Sequence, residues 1–289
     1  MTAMAMEPVL VTGAAGGRQG STGLLVTRLL LERGQAVRAF VHRDDERAAR
    51  LRTLGAEVVT GDLREITSVL PAVRGVRRAF FTYQVTGGLL DATGAFAAAA
   101  RQEGLQRVVE VSQLAASPDA PTPRMRQHWV AEQVFDWAGI GAVHLRAAVF
   151  FENLAVLAAF RGGGELVIPL GPPSTAIPLV AAADVARVAA GMLTANGDID
   201  PVCRLTGEIL TVGEAAETLG IPYVNIDPMK WHHWALDKYG DPHTVEHLSR
   251  LWEIFRIVGS HHELYQVTEA IEQIGGHPPL TLREFVAAS

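Results

Sequence analysis

A glycine-rich segment near the N-terminus constrains the fold of this chain more than any other feature. The sequence VLVTGAAGGRQGSTG, residues 9–23, is an apolar run that leads into five glycines. Glycine is favoured where the backbone turns with a positive φ or approaches a ligand closely. A strand that ends in such a turn and leads into a helix directs backbone N–H groups and the positive helix end at an anion. The segment therefore predicts a dinucleotide-binding loop.

The segments that follow alternate between apolar strands and amphipathic helices. Strands are predicted at 8–12, 36–41, 57–59, 78–82, 107–111 and 142–146, and helices at 21–33, 44–54, 66–73, 89–103 and 125–138. Short β-branched runs separated by helices of this length indicate βαβ units. We therefore predict an α/β fold with a Rossmann-type, doubly wound parallel sheet.

The pattern changes after residue 146, where glycine and proline clusters mark loops and most of the later chain has helical periodicity. We predict an NAD(P)-binding domain at 1–150, to which segments around 180–206 return. A smaller, mostly helical substrate domain is predicted at 151–289. Because ligands bind at the carboxyl ends of the strands of such sheets, the site is expected between these two parts.

Charge and composition exclude several function classes. The net charge of −6 over 289 residues argues against a nucleic-acid surface, which is normally basic. The single cysteine excludes an internal disulfide and a cysteine-rich metal site, and no metal is predicted. No apolar stretch approaches the roughly 20 residues that a membrane span requires. We expect a cytoplasmic protein, a monomer or homodimer, that acts on a small molecule.

The glycine loop has two possible registers. The shorter one is Gly13-x-x-Gly16, and the longer one is Gly13-x-x-x-Gly17-x-x-Gly20. The longer register places Gly20 at the helix start, where it would pack against the strand, and leaves Arg18 and Gln19 in the loop near the phosphate. We favour the longer register, and the shorter one stays open.

The end of the second predicted strand bears on the choice of cofactor. An NAD site usually carries Asp or Glu there, which accepts a hydrogen bond from the ribose 2′-hydroxyl. This chain has Val41-His42-Arg43 instead. A guanidinium matches the 2′-phosphate of NADP, so Arg43 favours NADP(H) over NAD(H). We expect neither a flavin nor a metal as a further cofactor. The alternative is that Arg43 is a solvated surface residue.

Several further motifs carry a family resemblance. They are Val11-Thr12-Gly13, Gly61-Asp62-Leu63, Val111-Ser112-Gln113, Glu132, Phe150-Phe151-Glu152-Asn153-Leu154, Gly276-His277-Pro278-Pro279 and Leu282-Arg283-Glu284-Phe285. With them the chain resembles the NmrA-like branch of the atypical short-chain dehydrogenases over nearly its whole length. The resemblance implies a Rossmann fold and an NAD(P) cofactor.

The resemblance, with the strand order, also suggests site residues. Cofactor contacts are expected from Asp62, Leu63, Thr82, Tyr83, Gln84, Phe150 and Asn153, in addition to the glycine loop. Tyr83, Phe151 and Trp231 are expected against a planar substrate, Tyr83 by stacking and Trp231 as a wall or lid. Core packing is the alternative for each of these aromatic residues.

The usual short-chain dehydrogenase acid is absent. In typical members a lysine four residues after a tyrosine lowers the tyrosine pKa, and none of the four tyrosines here has that lysine. Arg124 and His128 stand where the pair belongs, and a histidine there resembles NmrA-like quinone oxidoreductases. His128 is a candidate proton donor because its ordinary pKa lies near neutrality, with a structural hydrogen bond as the alternative. Ser112 is predicted to orient a substrate oxygen or to cap its loop.

These observations predict an NADPH-dependent reductase of a quinone or a similar conjugated planar molecule. Three alternatives stay open. The first is a non-catalytic NADP(H)-binding redox sensor that binds a partner protein. The second is an isomerase or cyclase of a small-molecule pathway, and the third is a reductase of enones, imines or aldehydes.

Overall fold

A computed structural model describes residues 7–17, 21–159, 164–258 and 262–288 of the chain. Its strands are β1 (Val9–Thr12), β2 (Val37–Val41), β3 (Glu57–Thr60), β4 (Arg78–Phe81), β5 (Arg107–Gln113), β6 (Ala142–Ala147), β7 (Val149–Phe150), β8 (Leu166–Ile168), β9 (Ala176–Val180), β10 (Val202–Leu205), β11 (Glu208–Thr211) and β12 (Tyr223–Asn225). Its helices are α1 (Thr22–Glu32), α2 (Glu46–Thr53), α3 (Ile66–Val73), α4 (Leu89–Glu103), α5 (Pro123–Ala138), α6 (Phe151–Ala159), α7 (Ala182–Thr194), α8 (Val212–Thr218), α9 (Pro228–Tyr239), α10 (Pro242–Ile257), α11 (Ala270–Gly275) and α12 (Leu282–Ala287), with a 3₁₀ turn at Glu263–Tyr265.

The main sheet has seven strands in the order β10-β6-β5-β4-β1-β2-β3, and its neighbouring strands are parallel. Both faces of the sheet are covered, because along β1 Val9 and Val11 enter one hydrophobic core and Leu10 enters another. The chain order steps outward from β1 in one direction and then from β4 in the other. The predicted doubly wound sheet is therefore confirmed, and its crevice lies beside the ends of β1 and β4.

Two helical layers bury the sheet. Helix α1 packs against α7, which packs against α11, on one face, while α3, α4 and α5 pack side by side on the other. On the second face Phe81, Phe96 and Phe135 form an edge-to-face cluster with ring centroids 5.0–6.1 Å apart. This packing fixes the carboxyl ends of the strands relative to one another.

A second core lies beyond the carboxyl ends of the strands. Strands β11, β9 and β7 form a small mixed sheet and β12 pairs with β8, while α6, α8, α9 and α10 pack around them. This core contains Trp231, Trp252 and Phe255. Helix α7 and strand β10 return from this region to the main sheet. Within the described ranges, no helix is long and apolar enough to span a bilayer.

Candidate cofactor and substrate site

The glycine loop after β1 makes close backbone contacts that a side chain would prevent. Gly13 and Gly16 have φ of +64° and +67°, and the Gly16 N–H donates to the Gly13 carbonyl oxygen at 3.1 Å. A Cβ at Gly13 would lie 2.6 Å from Cγ2 of Thr82. A Cβ on Gly23, in the first turn of α1, would lie 2.5 Å from the Gly13 carbonyl oxygen. The helix N-terminus therefore reaches the loop only because Gly23 has no side chain.

The structure describes part of the predicted glycine register. Gly16 and Gly17 line the cavity described below, and a Cβ on Gly17 would meet no atom within 4 Å. Arg18, Gln19 and Gly20 lie outside the described residues. Among the residues described, the close contact between helix and strand that was predicted for Gly20 is made by Gly23, the fifth glycine of the segment.

The end of β2 presents a cation to the same cavity. Arg43 lines the cavity and makes no hydrogen bond or ion pair with another described residue. The two carboxylates that follow it have their own partners: Asp44 pairs with Arg52 at 2.8 Å and Asp45 with Arg47 at 2.7 Å. The charge of Arg43 is thus not neutralised by its sequence neighbours.

Arg47 adds a second cation beside the loop. Its Nη1 donates to the Gly16 carbonyl oxygen at 3.2 Å, and its side chain lines the cavity. Its guanidinium hydrogen-bonds the Asp45 carboxyl and holds the pKa of that group at about 2, although burial acts in the opposite direction. Arg47 was not singled out from the sequence, although its position in the first turn of α2, four residues after Arg43, was a usable signal.

The ends of β3 and β4 form the floor of the cavity. Its lining includes Asp62, Leu63, Thr82, Tyr83 and Gln84, the residues for which cofactor contacts are predicted. The Asp62 carboxylate accepts from Arg64 at 2.6 Å, and this hydrogen bond keeps the Asp62 pKa at about 2. Thr12 Oγ1 accepts from the Thr82 N–H at 2.8 Å and donates to the Thr82 carbonyl at 3.0 Å. These two bonds join the ends of β1 and β4.

Arg124 holds the segment that follows β4. Arg124 is 4% exposed, and its guanidinium donates to the carbonyl oxygens of Gln84 at 2.7 Å, Thr86 at 3.0 Å and Tyr83 at 3.3 Å. No carboxylate of the described chain forms an ion pair with it. Burial lowers the Arg124 pKa to about 10, so the group is still a cation at neutral pH. In the place expected for a catalytic tyrosine, the chain has a buried positive charge that positions a loop.

Ser112, at the end of β5, lines the cavity, and its hydroxyl proton is used in a hydrogen bond within the protein. Its hydroxyl donates to Glu132 Oε1 at 2.6 Å. Arg146 binds both oxygens of the same carboxylate, at 3.0 and 2.6 Å. Because a hydroxyl carries one proton, Ser112 is left to accept hydrogen bonds from whatever enters the cavity.

The same network continues below the cavity. His144 Nδ1 lies 2.6 Å from Glu110 Oε1, and His144 Nε2 lies 3.1 Å from Asp136. Burial raises the Glu110 pKa to about 7, although the hydrogen bond to His144 opposes the rise. Glu110, Glu132 and His144 bring one potential ligand atom each within 4.8 Å of one another. Their hydrogen bonds to Arg146, Ser112 and Asp136 account for this cluster without a metal ion.

His128 on α5 also lines the cavity and is 5% exposed. Its Nδ1 atom is buried and has no hydrogen-bond partner. Burial, followed by the positive charge of Arg124, lowers the His128 pKa well below 6.5. The ring is therefore neutral at pH 7. It is not the protonated imidazolium that would act as a proton donor.

A second histidine, which the sequence analysis missed, lies on the same wall. His247 of α10 is 4% exposed, with Nδ1 3.2 Å from Thr122 Oγ1 and Nε2 3.3 Å from Gln113 Nε2. Since the Gln113 amide nitrogen is a donor, His247 Nε2 accepts and Nδ1 carries the proton. Burial lowers the His247 pKa to about 3, and the positive charge of Arg124 adds to the effect. Gln113 keeps a buried, unpartnered Oε1.

One cavity of about 890 Å³ joins all these groups. It runs from the glycine loop along the strand ends into a chamber walled by α6, α10 and the end of α9. The side chains of this chamber are Leu114, Met125, Val156, Leu157, Tyr239, Leu248, Leu251, Trp252, Ile254, Phe255 and Leu264. The chamber is thus apolar and partly aromatic, with His128, Gln113 and His247 at its junction with the strand ends.

The aromatic predictions separate into two groups. Tyr83, Phe150 and Asn153 line the cavity. Phe151 and Trp231 do not line it, because both are fully buried in the second core. The ring centroids of Phe151 and Phe285 lie 5.7 Å apart. Trp231 lies on the face of α9 that packs against α10, where its ring meets Trp252 edge-on at 6.2 Å. The tryptophan on the cavity wall is Trp252, which no spacing signal in the sequence indicated.

Comparisons with known proteins agree with this architecture. A family model described as NAD(P)H-binding matches residues 17–154. The chain is 28% identical over 282 residues to the NAD(P)H azoreductase of Xenophilus azovorans, covering 94% of this chain and 96% of that protein.

Solved structures share the fold over nearly the full length. An NADPH-dependent quinone oxidoreductase from Escherichia coli, solved with NADPH, superimposes with a TM-score of 0.79 at 22% identity, covering 97% of this chain and 99% of that one. NmrA, a negative transcriptional regulator, gives a TM-score of 0.72 at 18% identity, covering 97% and 95%. At these identities the structures establish the fold, and it is the fold that the resemblance in the sequence motifs implied.

Proposed function

We propose that this chain, whose motifs resemble the NmrA-like branch of the atypical short-chain dehydrogenases and part of which matches an NAD(P)H-binding family model, is an NADPH-dependent reductase. Its substrate would be a quinone or a similar conjugated, electron-poor planar molecule. The azoreductase and quinone oxidoreductase relatives support the reductase class.

The observation that carries the proposal is the continuity of the cavity. The glycine loop, the strand ends and the apolar chamber share one space of about 890 Å³. A nucleotide along the strand ends would leave the chamber open to a second, apolar molecule. A sensor that only binds a nucleotide has no evident use for such a chamber, and a reductase requires one beside its cofactor.

The chain's own residues fit a dinucleotide. The close approach of Gly23 to Gly13 brings the N-terminus of α1 to the loop, as binding of a pyrophosphate requires. Arg43 has a guanidinium without a partner among the described residues, placed at the end of β2, where a 2′-phosphate would lie. Arg47 lies between this position and the loop and adds positive charge. These features support NADP(H) over NAD(H).

The polar groups at the junction suit an acceptor that needs no enzyme acid. A reduced nicotinamide, when bound, supplies the hydride. Ser112 has its proton engaged with Glu132, and His128 and His247 are neutral. Ser112 can therefore accept a hydrogen bond from a hydroxyl of the cofactor or of the reduced product, but it has no free proton for a quinone carbonyl. The apolar wall excludes bulk water from one side. A hydroquinone-type oxyanion is a weak base, so its proton is taken from water after transfer.

The test is a titration of the purified protein with NADPH and NADH, followed on the same sample by a panel of quinones. We expect NADPH to bind more tightly and its absorbance near 340 nm to fall when a quinone is added. Tight binding without oxidation by any acceptor would reject the reductase and favour the sensor. Absence of nucleotide binding would reject both and leave the isomerase or cyclase alternative.

A further inference from the structure

We infer that the chamber selects its acceptor by charge: it takes an uncharged aromatic molecule and rejects one with a sulfonate or carboxylate on the body that enters the chamber. This inference rests on the proposed function for its chemistry and goes beyond it by naming the substrate class.

Charge is distributed unevenly along the cavity. The charged side chains that line it in the described chain are Arg43, Arg47, Asp62 and Arg64. All four follow β2 or β3, at the nucleotide end. From Leu114 through α6 and α10, the described lining residues are aliphatic, aromatic or neutral polar. A charge carried into the chamber would therefore find no opposite charge on these walls.

One cation, Arg124, lies near the junction of the chamber with the strand ends. The positive charge of Arg124 is near enough to lower the pKa of both His128 and His247. Its terminal nitrogens are already bound to the carbonyls of Tyr83, Gln84 and Thr86, and it does not line the chamber. Arg124 thus gives the junction a positive potential without offering an ion pair to a ligand.

Two polar atoms at the junction, Gln113 Oε1 and His128 Nδ1, are buried and make no hydrogen bond with the described chain. Buried polar groups in native proteins nearly always have partners. The Gln113 oxygen can only accept a hydrogen bond, whereas His128 Nδ1 can donate one when it carries the proton of the neutral ring. Together with the potential from Arg124, this donor favours an orientation in which the electron-accepting end of the ligand lies at the junction. The uncharged body then lies against Trp252 and Phe255.

The unfavourable burial of an unpaired ion determines how strongly the chamber prefers a neutral ligand over a charged one. Transfer of a sulfonate from water to an apolar wall without a counter-ion is strongly unfavourable. We therefore expect a neutral ligand to bind about 100-fold more tightly than its sulfonated analogue.

The experiment compares methyl yellow with methyl orange, which share one dimethylaminoazobenzene body and differ by a sulfonate. Binding to the full-length protein saturated with NADP⁺ is measured by calorimetry, so no reduction is needed. Methyl yellow is expected to bind about 100-fold more tightly. Equal affinities, tighter binding of methyl orange, or binding of neither dye would overturn the inference.

A charge-introducing variant provides a second, independent test. Leu248 lines the chamber from α10 and is half-buried. Leu248→Arg is expected to narrow the preference for methyl yellow at least tenfold, while the volume-matched control Leu248→Met keeps it within about twofold. An unchanged preference in a folded Leu248→Arg protein would contradict the assignment of the chamber.

The two proposals fail separately. Selective binding of methyl yellow with no NADPH oxidation by any acceptor would reject the reductase and keep the charge selection. Quinone-dependent oxidation of NADPH with equal affinity for the two dyes would keep the reductase and reject the charge selection.

Discussion

Arg124 Nη2 donates to the carbonyl oxygen of Gln84 across 2.7 Å, which joins α5 to the segment that leaves β4. The same guanidinium binds the carbonyls of Tyr83 and Thr86. An arginine in the place of the expected tyrosine thus has a positioning function: it fixes the loop that forms the floor of the cavity. Its charge also favours the neutral form of His128.

Arg124→Met tests the positioning role. The variant leaves three carbonyl groups without their donor, so we expect the free energy of unfolding to fall by about 2–4 kcal/mol. The affinity for NADPH should fall about tenfold because the loop is no longer held. Thermal unfolding and a nucleotide titration measure both effects. The control is Arg126→Met on the same helix, an exposed residue that donates to one carbonyl; an equal loss there would contradict the role assigned to Arg124.

Arg43→Ala tests the phosphate contact. The loss of a charge-assisted hydrogen bond should raise the dissociation constant for NADPH about 50-fold and that for NADH less than threefold. Arg50→Ala, an exposed residue of α2 outside the cavity, is the matched control. Equal losses for the two nucleotides would show that Arg43 does not bind the 2′-phosphate.

Two glycine variants separate the cofactor loop from the fold. Gly17→Val projects into open space at the cavity wall, so the protein should fold normally and bind NADPH at least about 100-fold more weakly. Gly23→Ala brings a methyl group against the Gly13 carbonyl and should lower the free energy of unfolding by about 1–3 kcal/mol. Thermal unfolding and titration distinguish the two, and intact binding by Gly17→Val would favour the shorter register.

His128→Gln tests whether this residue supplies a proton. Because its pKa lies well below 6.5 in the folded protein, we expect the wild-type rate with a quinone to be flat between pH 6 and pH 8. The substitution should lower kcat less than about tenfold. A pH–rate profile of both proteins measures this. An inflection near pH 6.5 that disappears in the variant would mean that His128 is the acid after all.

His247 predicts a pH dependence of stability. Its pKa is about 3 in the folded protein and near 6.5 when unfolded, so between these values the unfolded chain binds the extra proton. Stability is therefore lost as the pH falls below 6.5. From pH 7 to pH 5 the loss is about 2 kcal/mol. The stability advantage of the wild type over His247→Gln should shrink by that amount in urea titrations at the two pH values, and a constant difference would contradict the buried, neutral ring.

The elements with strong local signals were predicted well. Helices α3 and α4 have their predicted bounds, and α4 lies between two left-handed glycines, Gly88 and Gly104. Helix α5 begins at Pro123 rather than at residue 125, because Thr122 caps it and proline is accepted in the first turn. Local chemistry is visible in a sequence, and each of these boundaries depends on it.

The position of the site was easiest to predict where the sheet forms it. The carboxyl ends of parallel strands meet at one edge, so strand order and the family resemblance together suggested Asp62, Thr82 and Ser112, all of which line the cavity. His247 and Trp252 reach the cavity from α10, more than 100 residues after β5, and their positions depend on how that helix packs. The protonation of His128 likewise depends on burial and on Arg124, which a single sequence does not display.

The most direct test of the account is an anaerobic single turnover. Protein saturated with NADPH is mixed with one equivalent of menadione, and the absorbance near 340 nm is followed. The account predicts stoichiometric loss of the NADPH absorbance, abolished by Gly17→Val. A stable NADPH complex that persists with menadione present would contradict it and assign the nucleotide a binding role without turnover.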